Sequence, residues 1–159
     1  MTTYVALLRG IMPMNPNMRG EKLREVFESL GLKKVATVIA SGNVVFESTS
    51  KNIPALESTI EKALFTQLGF TSATIIRSRE ELERLVKKNP FKGVVDEKPN
   101  YLVITFFKKR TKELCTVIDL ATTEPSQFMH DIEKDHGKEI TTRTWKTVLR
   151  ILKKMEELR

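Results

Sequence analysis

The sequence predicts an α+β protein. Its first half is a β-α-β-β-α-β unit of the ferredoxin-like kind, packed against a smaller α+β second half that ends in a long helix. Three observations lead there: β-type runs alternate with helical stripes up to residue 77, glycines punctuate that alternation, and the strands are apolar on both faces.

The first strand is expected over Tyr4–Arg9, ended by Gly10. Two prolines and two asparagines in the following stretch, Ile11–Asn17, mark it as an irregular loop. Leu23, Val26, Phe27 and Leu30 then recur at i, i+3, i+4, i+7, with Gly31 as the stop of an amphipathic helix. Val35–Ala40 and Val44–Glu47 are β-rich and joined by Ser41-Gly42-Asn43, a hairpin signal. Pro54 suits a first helical turn, and Leu56, Ile60, Ala63, Leu64 and Leu68 form one stripe closed by Gly69. Ala73–Ile76 is the fourth strand. Right-handed crossovers turn this order into a split β-α-β sandwich.

In the second half, Ser78-Arg79-Glu80-Glu81 is a capping box that opens a helix containing Leu82, Leu85 and Val86, halted at Asn89-Pro90. Tyr101–Phe107 is an apolar strand, followed by the basic step Lys108-Lys109-Arg110. Residues 111–140 are ambiguous, with a strand over Thr116–Leu120 and a helix over Pro125–Lys134 as the reading adopted. A long helix is expected over Thr142–Leu158. The division is therefore 1–77 and 78–159. Val5-Ala6-Leu7-Leu8, Val44-Val45-Phe46 and Tyr101-Leu102-Val103-Ile104 are unbroken apolar runs. A sheet with one wet face would alternate instead, so the second half is expected to cover the first.

The 159 residues, 40% of them hydrophobic, are enough for a buried core. The longest apolar runs fall short of a membrane span, and the start Met1-Thr2-Thr3-Tyr4 has no leader pattern. Cys115 is the only cysteine, which excludes an internal disulfide and a cysteine-based zinc site. The expectation is a cytoplasmic protein without membrane partner, metal or cofactor. A net charge of +7 permits an acidic partner without requiring one.

Two regions carry chemistry. In this topology the end of strand one and the turn before strand three share a sheet edge, which brings Arg9, Gly10, Ser41, Gly42 and Asn43 together. Glycine admits close backbone approach, and arginine binds carboxylate or phosphate in a fork. The plainer alternative is a tight turn beside a surface charge. On the last helix, Arg143, Lys146, Arg150, Lys153 and Lys154 fall within an arc of roughly 100°, a positive stripe of the kind that meets phosphates. Trp145 lies on the apolar side. A solvated outer face is the plainer reading there, and Glu157 interrupts the stripe.

His130 and His136 are spaced so that one helix face cannot hold both, and Cys115 reads as a structural thiol. No Walker loop, Gly-x-Gly-x-x-Gly, His-Glu-x-x-His or Gly-x-Ser-x-Gly occurs. The central strands offer Tyr4 and Phe46 for base stacking, but a covered sheet leaves no platform.

Taken in order, Tyr4-Val5-Ala6-Leu7-Leu8-Arg9-Gly10-Ile11, Leu23-Arg24, Ser41-Gly42-Asn43-Val44-Val45-Phe46 and Thr141-Thr142-Arg143-Thr144-Trp145 resemble a bacterial and archaeal family of unknown function, numbered 1697. The resemblance implies a two-part α+β fold and no established activity. It places Arg9, Gly10, Ser41, Gly42, Asn43, Thr142, Arg143 and Trp145 on motif positions. The chain departs from the family pattern at Met12-Pro13-Met14-Asn15-Pro16, where many members have a Gly-Gly loop, and at Thr144, where asparagine is frequent. The segment from Glu113 to Lys138 is also short.

The leading functional expectation is a binding protein for an anionic ligand, nucleic acid or a phosphorylated small molecule, using Arg9, Gly10, Ser41, Gly42, Asn43, Arg143 and Trp145. One alternative is an enzyme acting on a small phosphate- or carboxylate-bearing substrate, which lacks a histidine or carboxylate among the motif residues. Another is a structural or interaction protein whose motifs serve turns and packing. The sequence leaves the oligomeric state open.

Overall fold

In the computed structural model, residues 1–39, 42–109 and 113–158 are described. β1 (Thr2–Leu8), α1 (Gly20–Ser29), β2 (Lys33–Thr37), β3 (Asn43–Ser48), α2 (Ile53–Leu68) and β4 (Thr74–Ser78) form the first unit. Its sheet has the order β2-β3-β1-β4, antiparallel throughout, which is the ferredoxin-like arrangement. α3 (Arg79–Lys87), β5 (Asn100–Phe107), β6 (Glu113–Asp119), α4 (Pro125–His136), β7 (Ile140–Thr144) and α5 (Trp145–Glu157) follow, with a second antiparallel sheet in the order β6-β5-β7.

The local signals act as expected at several points. Asn52 caps α2 and Gly69 ends it in the left-handed region. Ser78 and Glu81 exchange both hydrogen bonds of a capping box at the start of α3. Within the loop after β1, Asn15 caps a single 3-10 turn over Pro16–Met18, one turn of regular structure in a stretch expected to be irregular. β2 begins earlier than the sequence suggests and stops at Thr37; its register shifts between Lys33 and Ala36, where Lys34 adopts φ 49°.

The larger correction concerns the C-terminus. Residues Thr142–Thr144 are strand, not helix: Arg143 pairs with Ile104 and Thr144 with Val103 of β5. Three β-branched threonines in Thr141-Thr142-Arg143-Thr144 favour the pleated state, and the Thr144 side chain then caps α5 by accepting from the Thr147 amide at 3.2 Å.

β1, β3 and β4 send alternate residues to two cores. Tyr4, Ala6, Leu8, Val44 and Phe46 pack under α1 and α2. Val5, Leu7, Val45 and Ile75 face Leu82 and Leu85 of α3, Val148, Ile151 and Met155 of α5, and Leu102, Ile104 and Phe106 of β5. α3 and α5 therefore lie between the two sheets, and unbroken apolar runs are what such two-sided burial demands.

β4 is an edge strand, and its outward amides are taken by α2. Glu57 accepts from Ile76 at 2.9 Å and Glu61 from Thr74 at 2.8 Å, two carboxylates one helical turn apart that close the edge. Glu57 is 3% exposed. Burial pushes its carboxyl above the ordinary range, although the Ile76 hydrogen bond and the charges of Lys108 and Arg77 pull the other way. A carboxylate whose folded pKa is raised binds more protons folded than unfolded. It therefore costs stability that grows as pH rises from its unfolded value through its folded one. Glu57→Gln, which keeps an acceptor for the Ile76 amide and removes the buried charge, is expected to raise the melting temperature at pH 7 and to lose that advantage near pH 4. Glu57→Ala strands the amide and is expected to cost about 1–3 kcal/mol in denaturant titrations at either pH.

Candidate functional site

Backbone hydrogen bonds bring the predicted edge together. The Leu8 amide donates to Gly42 O at 2.9 Å, the Arg9 amide to Ala73 O at 3.0 Å, and Ser72 Oγ to Arg9 O at 2.7 Å. Ser41 lies outside the described residues. Gly42 has φ 83°, and a Cβ on it would meet Ile11 Cγ1 at 2.6 Å, so glycine is required there by conformation and by space. Gly10 also has a positive φ, 76°, but open space around it.

Arg143 crosses from β7 into this edge. Its Nε donates to Asn43 Oδ1 at 2.6 Å, and its Nη1 to Thr141 Oγ1 at 2.6 Å and to Thr142 O at 3.0 Å. Its Nη2 donates to Leu8 O at 2.9 Å and Gly42 O at 3.4 Å. Guanidinium has five N–H donors, and all five have acceptors here. Burial lowers the Arg143 pKa to about 10, still far enough above neutrality to keep the charge. Among the described residues no carboxylate pairs with it. Asn43 is 1% exposed and donates its own Nδ2 to Val38 O at 3.0 Å, which fixes Oδ1 toward Arg143.

Arg9 points elsewhere. Its Nη2 pairs with Glu133 Oε2 of α4 at 2.6 Å and its Nη1 donates to Ile140 O at 2.9 Å. Glu133 thus sits on Arg9 and not on Asn43. Trp145 turns inward, edge-to-face with Phe91 at 5.4 Å beside the core between the sheets. Of the basic stripe, Lys146, Arg150, Lys153 and Lys154 lie on α5, whereas Arg143 belongs to β7 and reaches into the fold. The stripe therefore loses its first member, because an extended residue does not share a helical face.

A cleft of about 280 Å³ opens beside Arg143, lined by Leu8, Gly10, Ile11, Thr142, Arg143, Thr144 and Thr147. Its lining holds one cation, three threonines and no carboxylate. Among the described residues no group accepts a hydrogen bond from the Gly10 or Ile11 amides. A larger hollow of about 700 Å³ lies apart, among Lys108, Lys109, Glu113, Asp135, His136 and Glu139, with charges of both signs.

Sequence reasoning missed a second set of ionic groups, which tie the two halves together. Arg77 is 3% exposed, donates Nη2 to Phe107 O at 2.8 Å, approaches Glu113 at 3.5 Å and lies over the Phe106 ring at 5.6 Å. Burial raises the Glu113 carboxyl despite Arg77, and burial followed by Glu113 raises the Cys115 thiol. Lys108 pairs with Glu61 and with Glu139, the latter at 3.7 Å. One signal was available: Glu57 falls between Leu64 and Leu68 on the apolar stripe of α2, where a carboxylate has to find a partner. Among the described residues no group of three His, Cys, Asp or Glu side chains is placed to hold a metal ion. Nor is any described helix long and apolar enough to cross a membrane.

Arg143→Ala would take from Asn43 Oδ1 and from the Leu8 carbonyl the donors they have here, while Gly42 O keeps the Leu8 amide. The expected loss is about 2–4 kcal/mol by denaturant unfolding. Arg143→Lys, with three donors on a point charge instead of a planar fan, is expected to recover less than half of it. A lysine variant as stable as the wild type would mean that charge alone, and not the fan, matters.

The comparisons agree with this architecture. A conserved bacterial protein from Streptococcus pneumoniae, SP0830, has a solved structure that superposes with a TM-score of 0.72 at 20% identity, over 98% of this chain and 99% of that one. At that identity the likeness shows the fold alone. No curated protein matches the chain. The family model described as "Protein of unknown function (DUF1697)" matches residues 1–134, from β1 into α4. The chain belongs to the DUF1697 family.

Proposed function

We propose that this protein binds a compact anion, the phosphoryl or carboxylate group of a larger ligand, in the cleft beside Arg143. The observation that carries the reading is a charge without a counter-charge. Arg143 is partly buried, remains protonated at neutral pH and, among the described residues, has only dipoles as partners. Carbonyl and amide oxygens satisfy its hydrogens but do not cancel its net charge, so an anion nearby gains Coulomb energy in surroundings that screen poorly. The amides of Gly10 and Ile11, which have no acceptor among the described residues, and the hydroxyl of Thr147, which accepts from Thr144 Oγ1 at 2.9 Å and keeps its own hydrogen, supply donors in place of those Arg143 has spent. The volume favours one phosphate or carboxylate over a whole nucleotide, since sites for entire small molecules begin at about 300 Å³.

A second reading rests on the same residue. With all five donors used, Arg143 is complete as a strut, which favours a purely structural role for the motif. An enzyme is less well supported, because the cleft lining contains no histidine or carboxylate for proton transfer.

Titration with inorganic phosphate, followed by amide NMR at constant ionic strength, separates these readings. Binding in the cleft is expected to move the Gly10, Ile11, Thr144 and Thr147 amides together, and Thr147→Val is expected to weaken the response several-fold. If phosphate moves only the amides near the exposed lysines, or none, the structural reading stands and the anion site is wrong.

A further inference from the structure

We infer that the anion in the cleft is one phosphate of a single-stranded nucleic acid whose following phosphates lie along α5; this rests on the cleft reading above and extends it. A second hollow, of about 350 Å³, runs between the end of β2 and α5, with Thr37, Val38 and Ile39 on one wall and Arg150, Lys153 and Lys154 on the other. Glu157 also lines it but already pairs with Lys154 at 3.9 Å. Thr147 belongs to the cleft and Arg150, one helical turn on, to this groove, so the two hollows follow each other along one helix face.

Length and charge both fit a phosphodiester chain. From Thr147 to Lys154 is about 10 Å of helix, room for more than one phosphate of an extended strand. Lys146, Arg150 and Lys153 have no carboxylate partner among the described residues, unlike Arg9, Arg77 and Lys108, whose charges are tied up inside the fold. The track is recessed, so a flexible strand follows its floor whereas a stiff duplex spans its lips. No aromatic side chain lines either hollow among the described residues, which leaves the backbone and not the bases as the recognised part. Binding is therefore sequence-tolerant.

The probe is a fluorescein-labelled 12-nucleotide oligothymidylate, or the uridine equivalent, read by anisotropy over a salt series. Arg150→Gln/Lys154→Gln alters surface side chains only, and its melting temperature serves as the folding control. Wild-type protein is expected to bind with an affinity that falls steeply with salt. The double variant is expected to bind at least ten-fold more weakly, with a log–log salt slope flatter by about 1.4, from about 0.7 per lost contact to a single strand. Equal binding by the double variant overturns the inference, as does tighter binding of the matching duplex. So does a wild type that binds no oligonucleotide while inorganic phosphate still shifts the cleft amides, a result that leaves the cleft reading intact. Phosphate that shifts no cleft amide removes the cleft itself, whatever the oligonucleotide does.

Discussion

Arg143 carries a positive charge into a place where little water reaches, and much of the surrounding architecture is the response to that charge. Its acceptors come from three distant parts of the chain: Leu8 at the end of β1, Gly42 and Asn43 at the start of β3, and Thr141 and Thr142 in its own strand. A planar fan of donors imposes directions as well as distances. β7 is therefore held across the end of the first sheet, and the chain leaves it at a fixed point. Thr144 caps α5 there, so the position of the helix between the two sheets follows from the position of the arginine. Gly42 completes the arrangement, since any side chain on it would push Ile11 and open the turn that supplies two of the acceptors.

The same device recurs around the first sheet. Arg9 fastens the end of β1 to α4 and to Ile140 of β7, Arg77 fastens β4 to Phe107 and Glu113, and Lys108 fastens the end of β5 to Glu61 of α2. Each is a long cationic side chain that starts in one half and ends on a carbonyl or carboxylate of the other. Apolar burial between the sheets supplies the main driving force but is indifferent to direction. Hydrogen-bonded cations fix how the layers sit on one another. Net charge consequently says little about partners until the internal cations are set aside.

Much of this was legible in the residues. The order of the first six elements follows from periods of two and 3.6 and from glycines at Gly31 and Gly69, and two-sided burial follows from the unbroken apolar runs. The convergence of Arg9, Gly10, Gly42 and Asn43 followed from topology. The direction of each side chain did not. Arg9 and Arg143 stand close in the fold, yet one faces α4 and the other Asn43, a choice made by partners 124 and 100 residues away in sequence. The boundary at Thr144 is hidden in the sequence because Thr142-Arg143-Thr144 also fits the first turn of the amphipathic helix that follows. Only pairing with β5, a tertiary contact, made them a strand. The ties of Arg77 and Lys108 to the other half of the molecule were invisible for the same reason.

A strut and a ligand site are usually opposed, and at Arg143 they need not be. Hydrogen bonding is local and saturable: five donors, five acceptors. Charge is neither, and the field of a guanidinium bonded only to neutral dipoles extends past them into the adjoining cleft. An anion there takes its hydrogen bonds from other groups and its electrostatic attraction from Arg143, so binding leaves the fan in place. Linkage then runs in one direction. A ligand that attracts the charge of the fold's main tie binds the folded chain and has nothing comparable to bind in the unfolded one, so occupancy stabilises the whole molecule. Motif residues that look purely architectural are in this way compatible with binding, because the architecture is what holds an uncompensated charge beside an open cleft.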